Sequence, residues 1–397
     1  MTKERLDIKG DISLSRLVHQ VADYDKTLPQ RGMNSDLHSQ ASYLKGSTLS
    51  LLLDACDVTI QEIQDEISAI GRFDRRLIRN PEFKDDPLEI DMAFARLFGA
   101  GLSDGHIDQF RVFCYGEADI DRVEIFKEHV EFFGDIDYTE TIDERGFHDL
   151  RYSSVLGRML EKRGFTVGDK TVQNRGIPDF ILNGPIEVQV EYLKQLWPED
   201  GYFITGVNNH TFFAWTRSAC LLDPEKDLKY GIDRTSGQKI LSFIQDHGDY
   251  SEKNAFQNKK KYLRYILTGA ELSRLAKCNE NTVSDEAVWL QSLIESNKPL
   301  LMKHEQALLN RIGVASRDSC TEVTNYCETG RVSVQFRAVT KSLDDAMIVA
   351  LIALPDDKTK RMKVIEWVQS EQARYQRVRS EVLAKGFRIA LDLKPWM

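Results

Sequence analysis

Two short stretches that end in the same way constrain this chain more than any other feature of its sequence. "LFGAGLSDGHI" (residues 97–107) and "LKQLWPEDGYF" (residues 193–203) each run from an apolar segment into an aspartate that is followed by glycine. The two acids, Asp104 and Asp200, are 96 residues apart in the sequence. Because each stretch opens a similar series of helices and strands, this spacing predicts two repeated units related by a pseudo-twofold axis.

The hydrophobic pattern after each stretch alternates between helical and strand periodicity. In the first unit it predicts a helix at 91–103, an extended segment at 106–115, a helix at 119–133, a hairpin at 136–152 and a helix at 153–164. In the second it predicts helices at 185–197, 236–247, 297–312 and 342–354, two strands within 202–222 and a hairpin at 318–340. The pattern is typical of an α+β fold.

The remaining segments set the domain boundaries. We expect an N-terminal helical region at 1–90, a first half at 91–184, a second half at 185–355 with a polar insertion near 249–296, and a basic C-terminal helix at 356–397. Within the N-terminal region, "LSLLLDACDVTIQEIQDEI" has the rhythm of a helix-turn-helix. A plain helical hairpin is the more common source of that pattern, and a DNA-reading motif is the alternative.

Charge and hydropathy limit the classes of function. The 397 residues carry a net charge of −9, which is unevenly distributed: −5 over residues 1–91, −10 over 92–249 and +6 over 250–397. The acidic total argues against a strong non-specific DNA binder, although the basic last third could meet nucleic acid. Since no run of about 18 apolar residues occurs and the N-terminus lacks the apolar core of a signal peptide, we expect a cytoplasmic protein without a membrane segment.

The paired acids predict a metal site. Crossing the two helices near their ends would bring Asp104 and Asp200 together, and two close carboxylates destabilise a fold unless a cation lies between them. Carboxylate oxygens suit Mg²⁺, which is typically held by one or two carboxylates together with phosphate oxygens of a substrate. A metal there could activate water for attack on a phosphodiester. A plain helix end at Asp104 is the other interpretation of that residue.

The two stretches resemble the paired helices of the LAGLIDADG homing endonucleases, whose single-chain members carry two such motifs. Two further segments are similar to archaeal-type members: "RGIPDFILNGPIEVQVEYLKQLWPEDGYF", and "LLMKHEQALLNRIGV" followed by "TGRVSVQFRAVTKSLDDA". The resemblance covers roughly residues 90 to 355 and indicates a free-standing or intron-encoded type rather than an intein, because the chain starts with Met-Thr and ends with "KPWM".

The resemblance implies a pseudo-twofold pair of αββαββα halves that form a saddle over DNA. It implies that Asp104 and Asp200 bind Mg²⁺ or Mn²⁺ and are catalytic, and that Lys341 helps to polarise the attacked phosphate. The chain departs from the family pattern in having Gln195 where a small residue is usual and Pro198 inside the last turn of the second helix. In the first half, serines stand at the place that matches Lys341.

DNA contacts are expected where a strand face meets the duplex. Strand-like segments offer Arg111, Arg217, Arg331 and Arg337 for this purpose. The basic C-terminal helix could contact the phosphate backbone. A solvated surface charge is the competing interpretation of each of these side chains.

Two functions remain open. The first is a Mg²⁺-dependent, site-specific double-strand DNA endonuclease, which as a monomer would read a long non-palindromic site with one half for each half-site. The second is a non-cleaving relative on the same scaffold, either a DNA- or RNA-binding regulator or a maturase that binds intron RNA. Retention of both acids favours the nuclease, whereas the acidity of residues 92–249 and the altered second helix favour the binder.

Overall fold

A computed structural model describes residues 50, 53–54, 58–67, 69–72, 75–168, 175–205, 211–223, 232, 234–254, 261–354 and 358–391. Within these residues the helices and the antiparallel sheets confirm the predicted α+β class. Residues 1–49, which include a predicted helix, lie outside the described part of the chain. None of the helices in the described ranges is both long and apolar enough to cross a membrane.

The first half follows the predicted order closely. Its elements are α1 (Pro87–Asp104), β3 (Gly105–Ile107), β4 (Phe113–Glu117), α2 (Ile120–Glu131), β5 (Asp135–Ile136), β6 (Tyr138–Ile142), β7 (His148–Tyr152) and α3 (Ser154–Lys162). Helix α1 begins where Asp86 accepts a hydrogen bond from the backbone N–H of Leu88 at 2.9 Å, with Pro87 in the first turn. Strands β3, β4, β7 and β6 lie side by side in that order.

The second half repeats this series with additions. Its elements are a short α4 (Asp179–Leu182), α5 (Ile186–Glu199), β8 (Gly201–Thr205), β9 (Thr211–Leu222), α6 (Arg234–His247), β10 (Asp249–Asn254), β11 (Lys261–Thr268), α7 (Gly269–Leu275), α8 (Asn281–Ser296), α9 (Leu300–Arg311), β12 (Ser316–Tyr326), β13 (Val332–Thr340) and α10 (Leu343–Ile352). The sheet order β8-β9-β13-β12 matches β3-β4-β7-β6 strand for strand. The structure therefore repeats the same four-strand order in its two halves, as the spacing of the two motifs predicts.

The described residues of the predicted polar insertion, 249–254 and 261–296, form strands and helices. Strands β10 and β11 extend the second sheet beyond β12, with β11 pairing antiparallel to it from Arg264 to Thr268. Helices α7 and α8 then bury Leu272, Leu290 and Ile294 against the core. The insertion thus widens one half only, so the two sheets differ in area.

Helices α2 and α9 are equivalent in the two halves. Each ends before a glycine of positive φ, Gly134 at 109° and Gly313 at 84°, a backbone conformation that favours glycine at helix ends. Each helix packs its apolar side under the sheet of its own half, through Phe126 in α2 and Leu308 in α9 among others. This equivalence sets the register in which the two halves are compared below.

Two sequence predictions need correction near the chain ends. The predicted helical region contains strands β1 (Ala69–Arg72) and β2 (Arg75–Arg79), and β2 pairs with β5 of the first half. Only a 3₁₀ turn at Gln61–Glu66 stands where the second helix of the helix-turn-helix was expected. Strands β1, β2 and β5 thus form a three-stranded sheet that is separate from β3-β4-β7-β6.

The basic C-terminal segment is two helices rather than one, α11 (Lys358–Ser370) and α12 (Gln372–Ala384). Helix α12 buries Tyr375 and Val378, and its Arg374 and Arg377 both bind the carboxylate of Asp344 at 2.6 Å. Part of the positive charge of this segment is thus neutralised inside the second half. These arginines do not form a free basic face for a DNA backbone.

The two halves meet where α1 crosses α5. A Cβ atom on Gly99 would lie 2.6 Å from Cβ of Gln195 and 2.7 Å from the carbonyl oxygen of Tyr192, so only glycine allows this approach. Gln195, the residue that departs from the small-residue pattern, is 3% exposed and faces Gly99. Arg96 of α1 also binds Glu191 of α5 at 2.6 Å. A small residue on one helix thus accommodates a larger one on the other.

We expect Gly99→Ala to lower the free energy of unfolding by about 1–3 kcal/mol, because the added methyl forces the two helices apart although alanine is the better helix former. Urea denaturation of the purified protein measures this difference. The matched control is Gly237→Ala in α6, whose methyl would meet only the flexible end of Leu222 at 3.2 Å. Equal stability of the Gly99→Ala variant and the wild type would contradict the close crossing.

His129 lies beside the same helix crossing and makes stability depend on pH. Burial lowers its pKa to about 4, and the nearby Arg96 guanidinium acts in the same direction. In the unfolded state this imidazole takes up a proton near pH 6.5, whereas in the folded state it does not. The contribution of His129 to the free energy of unfolding is therefore complete above that pH and is lost as the pH falls from 6.5 to 4. We expect a loss of up to about 1 kcal/mol per pH unit in this window. In His129→Leu, denaturation midpoints should fall less steeply from pH 7 to 5, and parallel curves would refute the assignment.

Candidate active site

Asp104 and Asp200 occupy matching positions in the two halves. Asp104 is the last residue of α1, Asp200 directly follows α5, and the next residue in each case begins the first strand of a sheet. Neither Gly105 nor Gly201 has room for a side chain. A Cβ atom on Gly105 would lie 2.7 Å from Phe113 Cζ, and one on Gly201 would lie 2.7 Å from Trp197 Cα. Close packing therefore fixes each Asp-Gly pair at the start of the first strand of its sheet.

The ends of the two helices converge on one side chain, Arg217 of β9. Its Nη1 binds the Oδ2 atom of Asp200 in an ion pair and lies 3.4 Å from the hydroxyl of Ser103, the residue before Asp104. Both helix ends therefore contact one guanidinium, which agrees with the predicted convergence of the motif ends. Within the described residues, no group of three or more histidine, cysteine or acidic side chains is placed to hold a metal ion.

Arg217 is part of a buried network rather than a DNA-binding surface. Its side chain is 6% exposed, and its Nε lies 3.0 and 3.1 Å from the two carboxylate oxygens of Glu305, which is fully buried in α9. Tyr192 and Trp215 each donate a hydrogen bond of 2.9 Å to Glu305. Burial alone would lower the pKa of Arg217, but the carboxylates of Glu305 and Asp200 outweigh it and hold that pKa above its usual range. We therefore withdraw Arg217 from the candidate DNA contacts.

The first half holds its acid with a related but rearranged network. Arg122 of α2 forms a close ion pair with Glu117 of β4, and its Nη2 lies 3.8 Å from the Oδ2 atom of Asp104. In strand register Glu117 matches Arg217, because Tyr115 opposes Gly105 as Trp215 opposes Gly201. The acid and the base have therefore exchanged places between strand and helix.

The metal predicted between the acids fits the two positions unequally. The Asp104 carboxylate is 38% exposed, and among the described residues its ion-pair partner is Arg122 at 3.8 Å, so its oxygens suit a hard cation. Asp200 is 27% exposed, and one of its oxygens is already bound by Arg217. The donor chemistry thus fits a cation at Asp104, whereas at Asp200 a guanidinium supplies much of the positive charge.

A lysine that the sequence analysis missed lies at the end of α5. Lys360 of α11 donates hydrogen bonds from Nζ to the carbonyl oxygens of Trp197, at 3.1 Å, and Gly201, at 2.9 Å. An ammonium group at the C-terminal end of a helix interacts favourably with the helix dipole. It also adds a positive charge within one residue of Asp200.

The remaining predicted site residues lie apart from this network. Lys341 is exposed directly after β13, and its backbone N–H binds the carbonyl of Ala315 at 2.9 Å. Among the contacts given for the described residues, none joins its ammonium group to Asp104 or Asp200. Its place after the last strand of the second half agrees with the sequence prediction, and its catalytic role stays a prediction.

The predicted DNA-binding arginines differ in placement. Arg337 is exposed in the middle of β13, with its guanidinium 5.8 Å from the ring centroid of Tyr202, two residues after Asp200. Arg331 precedes β13 at the hairpin turn. Arg111 lies in the β3–β4 turn rather than on a strand, with φ of 69° and Nε 2.7 Å from Glu161. Arg337 therefore contacts a residue that is close in sequence to Asp200.

Both sheets have an outer face that alternates with the core. On β13 the residues Val334, Phe336 and Ala338 are buried, and the intervening side chains face outward. On the first sheet His106, Arg151 and Thr139 are exposed and lie in one cross-strand row with Cys114. Each half thus presents a polar strand face beside its motif acid.

The sequence contained signals for the missed residues. In β9 the alternation Phe213, Trp215, Arg217 places the arginine on the inward side, together with the aromatic core residues. Glu305 interrupts the apolar stripe of α9 between Met302 and Leu308, both fully buried. A buried arginine in phase with a buried glutamate indicates an ion pair. The partner of each was decided only by the tertiary structure.

Comparison with known proteins gives structural similarity without sequence matches. No family model and no curated protein matches the chain. A solved structure of mesophilic variants of the homing endonuclease I-DmoI aligns with 9% identity, covering 66% of this chain and 94% of its own, with a TM-score of 0.28. The homing endonuclease I-WcaI bound to its DNA recognition sequence aligns with 10% identity over 51% of this chain and 79% of its own, with a TM-score of 0.22.

We expect Arg217 and Glu305 to be energetically coupled, because they form a buried ion pair. Glu305→Gln should lower the free energy of unfolding by about 3 kcal/mol, because it leaves a buried guanidinium with one carboxylate fewer. The double variant Arg217→Met/Glu305→Gln should lose clearly less than the sum of the two single variants, since the buried guanidinium and the buried carboxylate are removed together. Thermal or urea unfolding of all four proteins closes the cycle. Additive losses would show that the two side chains do not stabilise each other.

Proposed function

We propose that this chain is a site-specific double-strand DNA endonuclease that hydrolyses phosphodiesters with a divalent cation, Mg²⁺ or Mn²⁺, at the paired aspartates. The duplex would lie across the outer faces of the two sheets as a long, non-palindromic site, with each half meeting one half-site. A single chain with two unequal halves can read such a site as a monomer. The unequal areas of the two sheets support asymmetric recognition.

The observation that carries the proposal is the convergence of two acid-ended helices at the junction of two equivalent sheets. Arg217 contacts the end of both helices, and the first strand of each sheet starts at the residue after each acid. A duplex laid across both outer faces would pass over this junction. Its backbone phosphates would then approach Asp104 and Asp200.

The chain's own residues have separate tasks in this proposal. The site formed by Asp104 and Asp200 would hold the cation and orient the attacking water, with at least one of the two carboxylates as a direct ligand. Lys341, exposed on the second half, would place its ammonium group against the attacked phosphate. Arg337, Arg331 and Arg111 would contact DNA, and Arg337 lies beside Tyr202, two residues after Asp200.

The reaction is a hydrolysis in which the oxygen of water forms a bond to phosphorus while the bond to the leaving oxygen breaks. The leaving oxygen takes up a proton, and the water has given one up to solvent or to a carboxylate. A bound divalent cation supplies Lewis-acid polarisation of the phosphate and lowers the pKa of water. The positioning of carboxylates at rigid helix ends supplies the fixed geometry that this step needs.

The second candidate is a non-cleaving DNA- or RNA-binding regulator, or an intron-splicing maturase, on the same scaffold. It is favoured by the arginine partners of both acids, Arg122 and Arg217, which reduce the need for a metal ion in the fold. In such a protein the acids would serve as ion-pair partners, and the outer sheet faces would carry the whole function.

Cleavage of a randomised or genomic DNA library with Mg²⁺ distinguishes the two candidates. For a nuclease we expect defined cuts by the wild type and at least about a 100-fold loss in a double variant, Asp104→Asn/Asp200→Asn, because carboxylate ligands are removed. Sequenced ends give the target at the same time.

Selective retention of one sequence by wild type and double variant alike, with no cutting, would establish the binding protein instead. The variant Asp246→Asn, which changes an exposed acid on α6, controls for the loss of negative charge. Cutting that survives in the double variant would show that neither acid takes part.

A further inference from the structure

The two motif acids are chemically inequivalent, although the topology around them repeats. Asp200 forms a direct ion pair with Arg217, whereas the ion-pair partner of the Asp104 carboxylate among the described residues is Arg122, at 3.8 Å. Asp104 is also the more exposed of the two, 38% against 27%. A cation arriving from solvent therefore meets a less occupied carboxylate in the first half.

Arg217 is held in place at Asp200 by its other partners. Glu305 is fully buried and fixed by Tyr192 and Trp215, and the guanidinium uses both Nε and Nη2 to bind it. To leave Asp200, Nη1 would have to rotate away from a carboxylate in a largely water-free environment while the rest of the group stayed anchored. Ion pairs of this kind are costly to break because one charge is left uncompensated.

Arg122 is engaged differently. Its close partner is Glu117, 7% exposed, whose Oε1 accepts hydrogen bonds from the backbone N–H groups of Ala118 at 2.6 Å and Asp119 at 2.9 Å. The charge of Arg122 is thus matched by Glu117 before Asp104 is considered. Of the two acids that face Arg122, Asp104 is the more distant and the more exposed.

The formal charges of these groups differ between the halves. In the first half, Arg122 faces Glu117 and Asp104, which gives −1. In the second, Arg217 and Lys360 face Glu305 and Asp200, which gives 0, because Lys360 binds the carbonyl groups on either side of the acid. A divalent cation is attracted to the first position and gains little at the second.

We infer that Asp104 is the acid that binds the divalent cation, and that Asp200 is a positioning acid, locked to Arg217, that joins the two helix ends. This inference rests on the proposed function. If the halves differ in this way, hydrolysis starts on one strand, always the same one, and a nicked duplex precedes the double-strand break.

Cation binding tests the inference without any cleavage. Mn²⁺ is titrated at neutral pH into the full-length wild type, Asp104→Asn, Asp200→Asn and the control Asp246→Asn, and free Mn²⁺ is followed by electron paramagnetic resonance. We expect Asp104→Asn to weaken binding about 10-fold or more, and Asp200→Asn and Asp246→Asn to stay within about 3-fold of the wild type, which is less than the loss of even an outer-shell partner usually causes.

Equal weakening in both acid variants, or weakening in Asp200→Asn alone, would overturn the inference while leaving a metal-dependent nuclease possible. Wild-type protein that binds no Mn²⁺ and cuts no DNA would overturn the proposed function and the inference together. Thermal unfolding of each variant, measured in the same buffer, shows that a loss of binding does not come from a loss of fold.

The order of strand cleavage gives a second readout. A supercoiled plasmid that carries the selected target is digested, and nicked circular and linear forms are followed in time. We expect nicked circles to accumulate first, with primer extension placing the nick on one strand. Linear product formed without a nicked intermediate, or nicks divided equally between the strands, would contradict the inequivalence of Asp104 and Asp200.

Discussion

The close crossing of α1 and α5 is the constraint on which the rest of the structure depends. Gly99 lets the backbone of α1 approach Gln195 and Tyr192 to a distance at which no side chain fits between them. Because each helix leads directly into the first strand of a sheet, the crossing fixes where both sheets begin. It also brings the ends of α1 and α5 close enough to share one arginine. A looser crossing would separate the halves and the acids together.

The charges at this junction are balanced from within the protein. Two carboxylates at converging helix ends would repel each other, and the sequence alone suggests a metal ion as the remedy. The structure shows another remedy, in which Arg122 and Arg217 come from different elements and each is backed by a buried glutamate, Glu117 or Glu305. The arginines thus compensate the charges of the two acids, so the fold does not need a cation between them. A cation bound there can serve function rather than folding.

Much of the fold could be read from the sequence because its periodicity is local. The helices that include Leu97 and Leu193, the hairpin that turns at Gly146 and the strands of 202–222 all follow from apolar spacing and turn residues. The sequence does not predict strands β1 and β2, because β2 pairs with β5, a partner more than 50 residues away, and such pairing overrides a local helical pattern. The sequence predicts one C-terminal helix because no proline or glycine marks the break near Glu371.

In the candidate site, too, some features follow from the sequence and others only from the tertiary structure. The sequence by itself determined the repeated Asp-Gly ends, their spacing and the α+β class, since these depend on residue order and on periodicity along one chain. Only the tertiary structure decided that Arg217 faces inward to Glu305, that Lys360 returns to the end of α5, and that Asp104 and Asp200 have unequal surroundings. Ion pairs between elements far apart in sequence depend on packing distance and burial, and neither is encoded in local spacing.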